Sequence, residues 1–102
     1  MLVAFSIAPG SSDPDGSVSE AVAEAVRIVR ASGLPNETTS MFTTLEGEWD
    51  EVMAVVKQTV DALLTRSDRV SLVLKADIRP GHTGQLTAKV ERVEERLAPP
   101  SD

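Results

Sequence analysis

Cysteine is absent from this chain. That excludes disulfides and thiolate metal sites, and agrees with a reducing cytoplasmic setting. Histidine occurs once, as His82 in the turn segment "PGHTG", so no imidazole cluster exists to hold a metal, and the residue reads as an exposed turn position. No apolar run approaches the roughly 18 residues that span a bilayer. The opening "MLVAFSIAPG" also lacks the basic leader and longer apolar stretch of a secretory signal. The expectation is a cytoplasmic protein with no membrane partner. Clustered Lys and Arg are missing too: a formal net charge of -6 leaves no footprint for nucleic acid, and an acidic surface mildly favours cationic ligands.

What is present is the pattern of one small globular domain. At 102 residues, with 41% hydrophobic and 25% charged residues, the chain has room for a single core near the lower end of comfortable stability. Association with copies of itself is consistent with that size. Residues 1–97 are expected to form the domain, and residues 98–102, "APPSD", a flexible tail.

Residues 2–8 alternate, with Val3, Phe5 and Ile7 on one face and Ala4 and Ser6 on the other, which is the period of a half-buried strand. "APGSSDPDG" breaks it. Ser17 with Glu20 forms a capping-box pattern, and Val22, Ala25, Val26 and Val29 fall at helical spacing until Gly33 and Pro35 stop the helix. Asn36 to Gly47 is rich in strand formers, too long for one ordinary strand, and splits most economically into a hairpin turning near Ser40. Trp49, Val52, Met53, Val56, Val60, Leu63 and Leu64 mark a second amphipathic helix, with Asp50 and Glu51 in its first turn, where the dipole favours acids. Val70, Leu72, Leu74, Ala76 and Ile78 then alternate with Ser71, Val73, Lys75, Asp77 and Arg79 as a long strand. Leu86, Val90, Val93 and Leu97 supply a last helix.

The order is β-α-β-β-α-β plus a C-terminal helix. That is the split βαβ pattern of an α+β, ferredoxin-like sandwich, with a four-stranded antiparallel sheet of order 4-1-3-2 and both main helices on one face. The other face displays Ala4, Ser6, Phe42, Thr44, Glu46, Ser71, Val73, Lys75 and Asp77, neither core nor fully polar. Such a face suits packing against another subunit, with polar groups left to line a pocket at the junction.

Other motifs point to plainer readings. "DPDG" at Asp13–Gly16 lacks the remaining ligands of a calcium loop and suits a turn. Gly81 and Gly84 flank a helix start, but no Gly-Lys-Ser/Thr follows and a turn is the simpler account. Trp49 opens an apolar helical stripe and reads as a core anchor. No nucleophile and base can be assembled, so catalysis is the weaker hypothesis.

Four segments together carry a family resemblance: "VAFSIAPG", "ASGLPNETTSMFTTLEGEWDEVMAVV", "DRVSLVLKADIR" and "KVERVEERL". Over roughly residues 1–97 the chain resembles the thiamine-binding, YkoF-like family of small ferredoxin-like proteins. Its most telling parts are the hairpin end from Thr43 to Glu48 and the strand bearing Lys75, Asp77 and Arg79. The resemblance implies non-enzymatic binding of thiamine or its hydroxymethylpyrimidine moiety, with no further cofactor required. It places the pockets where subunits associate through their sheets, in homodimers or homotetramers. Where relatives commonly carry a Gly-Pro pair followed by a small or polar residue, this hairpin has Thr39, Ser40, Met41 and Phe42. Phe42 either fills the pocket or stacks on a pyrimidine ring.

Thiamine chemistry asks for hydroxyls and a carboxylate around the aminopyrimidine, and acidic or aromatic neighbours for the thiazolium. Ser6, Phe42, Thr43, Thr44, Glu46, Lys75 and Asp77 are the candidates. The competing reading is structural: threonine is a good strand residue, and Glu46 with Lys75 suits a cross-strand ion pair. Two other functions stay open, a ligand-free assembly or regulatory module and a small dimeric ferredoxin-like enzyme.

Overall fold

The computed structural model describes residues 1–10 and 19–99. Ser17, the capping partner expected for Glu20, lies outside them, as do the Asp13–Gly16 segment and the end of the tail. Seven elements follow in chain order: β1 (Leu2–Pro9), α1 (Ser19–Ala31), β2 (Asn36–Thr38), β3 (Thr43–Glu46), α2 (Trp49–Leu64), β4 (Val70–Asp77) and α3 (Gln85–Leu97). The strands form one antiparallel sheet of order β2-β3-β1-β4. The expected split βαβ architecture is therefore present, with α3 added.

The alternation of β1 decides which face is core. Val3, Phe5 and Ile7 are buried, joined by Leu45 of β3, by Ala21, Ala25 and Val29 of α1, and by Val52, Val55, Val56 and Leu63 of α2. Each fully buried aliphatic or aromatic side chain contributes roughly 1.5–3 kcal/mol. Among the described residues the one buried hydroxyl in that layer, Thr59, donates to the Val56 carbonyl at 2.7 Å, so it is not orphaned. Glu48 precedes α2, and its backbone N–H donates to Glu51 Oε1 at 3.1 Å, which ties the helix start.

Three apolar stripes are covered less than their spacing suggests. Trp49 is 54% exposed and is not a core anchor: it stands at the first position of α2. In α1 the buried row is Ala21, Ala25, Val29, while Val22 is exposed and Val26 half-buried on its flank. On β4, Leu72 and Ile78 are exposed although they share the alternation of half-buried Leu74. β4 is an edge strand on which only Val70 and Leu74 pack against the core, and Ile78 lies just beyond its end.

α3 stands apart from that layer. Gly84, at its N-cap, has φ 67°, a left-handed conformation natural to glycine, and brings no capping side chain. The first turn is held from β3 instead, where Glu46 Oε2 accepts from the Gln85 N–H at 2.9 Å and Oε1 from the Leu86 N–H at 3.3 Å. Lys89 pairs with Asp77 of β4. No residue of α3 is buried.

Candidate functional site

β1 and β3 pair only from Leu2–Glu46 to Phe5–Thr43. β1 runs on to Pro9, so along Ser6–Ala8 its backbone edge on the β3 side has no strand beside it among the described residues. Thr39 closes the turn that ends β2 there: its N–H donates to the Phe42 carbonyl at 2.9 Å, and its Oγ1 accepts from the Phe42 N–H at 3.3 Å. The notch left between this turn, the end of β1 and the flank of α1 is a groove of ≈ 220 Å³. Its walls are apolar at Phe5, Ile7, Val22 and Val26, and hydroxyl-bearing at Ser6, Ser40 and Thr43. Among the described residues no charged side chain lines it. Phe42, about one-third exposed, stands at its edge.

The groove gathers three of the sequence-nominated residues, Ser6, Phe42 and Thr43. The other four lie on the open sheet face, which Ser6 shares by its alternation with Ala4. Thr44 and Lys75 flank Ala4 in one row, and Glu46 and Asp77 flank Leu2 in the next. Thr43 and Thr44 thus face opposite sides of the sheet, since Thr43 pairs with buried Phe5 and Thr44 with Ala4. A single ligand on the open face cannot meet both.

The expected Glu46–Lys75 ion pair does not form. β1 separates their strands and they sit in different rows, so each acid found a nearer partner on α3. Glu46 holds the α3 backbone, and Asp77 holds Lys89. The Lys89 ammonium, by hydrogen bond and by charge, keeps the Asp77 carboxyl below the ordinary carboxylate range, with smaller help from Arg79 and Lys75. Both acids therefore act as anchors for the helix.

A second cleft, of ≈ 260 Å³, lies between Glu48, Trp49, Ile78 and the turn from Arg79 to Thr83. His82 sits in that turn, exposed, its N–H donating to the Arg79 carbonyl at 3.2 Å. Among the described residues no group of three His, Cys, Asp or Glu converges as a metal site, and no helix is long and apolar enough to cross a membrane.

The groove itself was missed by sequence reasoning. One signal pointed to it: the apolar arc of α1 is wider than the single row a helix needs against a sheet, and the surplus residues, Val22 and Val26, are groove wall.

Comparison with known proteins fits this architecture. A UPF0045 protein of Mycobacterium bovis, Mb1933, is 52% identical over 102 residues, covering 98% of this chain and 97% of that one. The crystal structure of a hypothetical protein, MJ1052, from Methanocaldococcus jannaschii superposes with a TM-score of 0.81 at 31% identity, covering 92% of this chain and 95% of that one. A Thermotoga maritima protein provisionally assigned to thiamine biosynthesis or salvage superposes with a TM-score of 0.74 at 27% identity, covering 89% and 97%. The family described as thiamine-binding protein matches residues 3–94, and this chain belongs to it.

Proposed function

We propose that this protein binds thiamine, or the hydroxymethylpyrimidine moiety of it, without converting it, and that the pyrimidine enters the groove between β1, α1 and the Thr39–Phe42 turn. The observation that carries the reading is the combination found there: an unpaired strand edge, hydroxyls and an aromatic ring around a neutral cavity of ≈ 220 Å³. An aminopyrimidine offers an amine donor beside ring-nitrogen acceptors. A strand edge presents alternating N–H and C=O groups that match such a pattern, and the Phe42 ring offers a stacking surface. The volume is below the roughly 300 Å³ at which pockets for larger ligands begin. It suits one ring, leaving the thiazolium outside, where the net charge of -6 favours a cation. Among the described residues the groove supplies no titratable acid or base, and a binding role is preferred to catalysis.

A second reading keeps the ligand on the open face, in a pocket closed when two copies, as a dimer or a tetramer, meet through their sheets. The row Thr44–Ala4–Lys75 favours it, because a hydroxyl and a cation stand there on a shallow, uncovered surface. Thermal shift with thiamine, hydroxymethylpyrimidine and an unrelated cation separates the two. Ligand at 100 times its Kd adds about 2.7 kcal/mol of stability. Phe42→Ala should weaken that shift strongly and Thr44→Val leave it unchanged. The reverse pattern transfers the site to the open face. No shift with any pyrimidine at millimolar concentration defeats the ligand reading and leaves an assembly module.

A further inference from the structure

The cleft beside Trp49 is separate from the groove. Met1, just before β1, borders the cleft, whereas Ser6, Ile7 and Ala8 border the groove. At about 3.3 Å per residue of extended chain, Met1 and Ser6 stand roughly 16 Å apart. Part of the cleft is apolar and open to solvent: Trp49 is 54% and Ile78 58% exposed. The rest is a turn built to hold its shape. Pro80 and Gly81 occupy its two central positions, Gly81 with φ 79°, and the His82 N–H donates to the Arg79 carbonyl at 3.2 Å. Proline fixes one central φ and glycine supplies the positive one, the pattern of a type II turn, which sets the Cα atoms of Arg79 and His82 within about 7 Å of each other. Both residues line the same cleft.

The charges around it differ in their commitments. Glu48, the acid of the cleft, is the N-cap of α2, and its carboxylate accepts from the Glu51 N–H. Asp77, two residues before Arg79, is taken by Lys89. Arg79 itself has no ion-pair partner among the described residues. In a chain of net charge -6, an unpaired guanidinium in a cleft is a local positive spot. Its planar fork matches two oxygens of a carboxylate or a phosphate, and the His82 ring and Thr83 hydroxyl belong to the same lining as further hydrogen-bonding groups.

We propose that this cleft binds a small aromatic oxyanion, one flat ring bearing a carboxylate or a phosphate, with the ring against Trp49 and the anionic group on Arg79. The indole offers a broad face for stacking. The volume of ≈ 260 Å³ limits the ligand to about one ring and its anionic group. A cationic ring is disfavoured, because it would set a second positive charge beside Arg79 with Glu48 already engaged. The inference rests on Trp49 and the Arg79 turn, and stands whether or not the groove takes a pyrimidine.

Trp49 is the only tryptophan and the chain has no tyrosine, so its emission reports the cleft directly. Titrating the full chain with benzoate and with phenyl phosphate should change that emission saturably in the millimolar range, and the tighter of the two identifies the preferred anion. Benzylamine, a ring of opposite charge, and inorganic phosphate, an anion without a ring, should each bind about 10-fold more weakly, since each lacks one of the two recognised groups. Arg79→Gln should weaken benzoate or phenyl phosphate binding about 10-fold or more, the ratio that one charge-assisted hydrogen bond carries, and Arg79→Lys less, because it keeps the charge without the fork. Arg79 is exposed, so circular dichroism of both variants should match the parent. Phe42→Ala, which tests the groove, should leave this titration unchanged. Linear quenching no steeper than that of free N-acetyltryptophanamide, benzylamine binding as tight as benzoate, unchanged affinity of Arg79→Gln, or an equal loss in Phe42→Ala would each overturn the proposal.

Discussion

Replacing Glu46 by alanine should release α3 while leaving the body folded. The carboxylate ends β3, is 6% exposed, and accepts from the Gln85 and Leu86 N–H groups at 2.9 and 3.3 Å. Gly84 offers no side chain in its place. Hydrogen bonds to a charged acceptor contribute roughly 1.5–3 kcal/mol, loss of an N-cap costs about 0.5–2, and a negative charge at a helix start is worth roughly 0.3–1. These figures describe one interaction in three ways and are not additive. The second bond is long and water can reach both donors once the carboxylate is gone, so about 2 kcal/mol is the expected loss. That raises the detached population of α3 about 30-fold. Because no residue of α3 is buried, the Val3–Leu45–Val52 core loses little. Residue-resolved amide hydrogen exchange is the assay. The Gln85, Leu86 and later α3 amides should exchange about 30-fold faster, with those of Val3 and Leu45 nearly unchanged. Glu46→Gln should fall between, since it keeps one acceptor but sets an NH₂ donor against a backbone donor. Unchanged exchange in α3, or equal acceleration in the core, would refute the assignment of Glu46 as the anchor.

The Asp77–Lys89 pair predicts a pH effect on the same helix. A carboxyl held low in the folded protein contributes stability that is present above its unfolded value of about 3.9 and is lost as pH falls through the lower folded value. Acid should therefore loosen the α3 first turn, and Asp77→Asn should lose that part of the pH dependence; identical pH profiles for the two proteins would contradict it. Gly10→Ala tests a different contact. A Cβ there would lie 2.8 Å from Arg69 Cβ and 3.0 Å from the Arg69 carbonyl oxygen, and the Gly10 N–H is already committed to that carbonyl. With backbone on one side the strain cannot relax cheaply, so roughly 1–3 kcal/mol of destabilisation is expected in urea unfolding, and a neutral result would show that the β1 and β4 ends can separate at little cost.

The sequence made the sheet legible because alternation is a local property: Val3, Phe5 and Ile7 announce a buried face wherever the strand ends up. It could not announce how far the covering layer extends. Leu72 and Ile78 carry the same alternation as Val70 and Leu74, yet only Val70 and Leu74 pack against the core, because edge position depends on the strand order of the whole chain. Trp49 is likewise apolar and in phase with Val52 and Val56, but at the first position of α2 it stays exposed.

The acids show the limit most clearly. A carboxylate at Glu46, on a strand beside apolar residues, does imply a specific partner, since burying it unpaired would be prohibitive. Residue type and position were thus informative, but partner choice was not. The nearest cation by sequence logic, Lys75, is a row and a strand away, whereas the donors that Glu46 meets lie 39 and 40 residues on, in the first turn of a helix whose own cap position is glycine. Seen from α3, the pairing was inferable: a helix starting at Gly84 lacks a local acceptor for its first N–H groups, and some acid elsewhere must supply one. Glu46 and Asp77 thus have structural partners on α3, while Ser6, Phe42 and Thr43 border the groove.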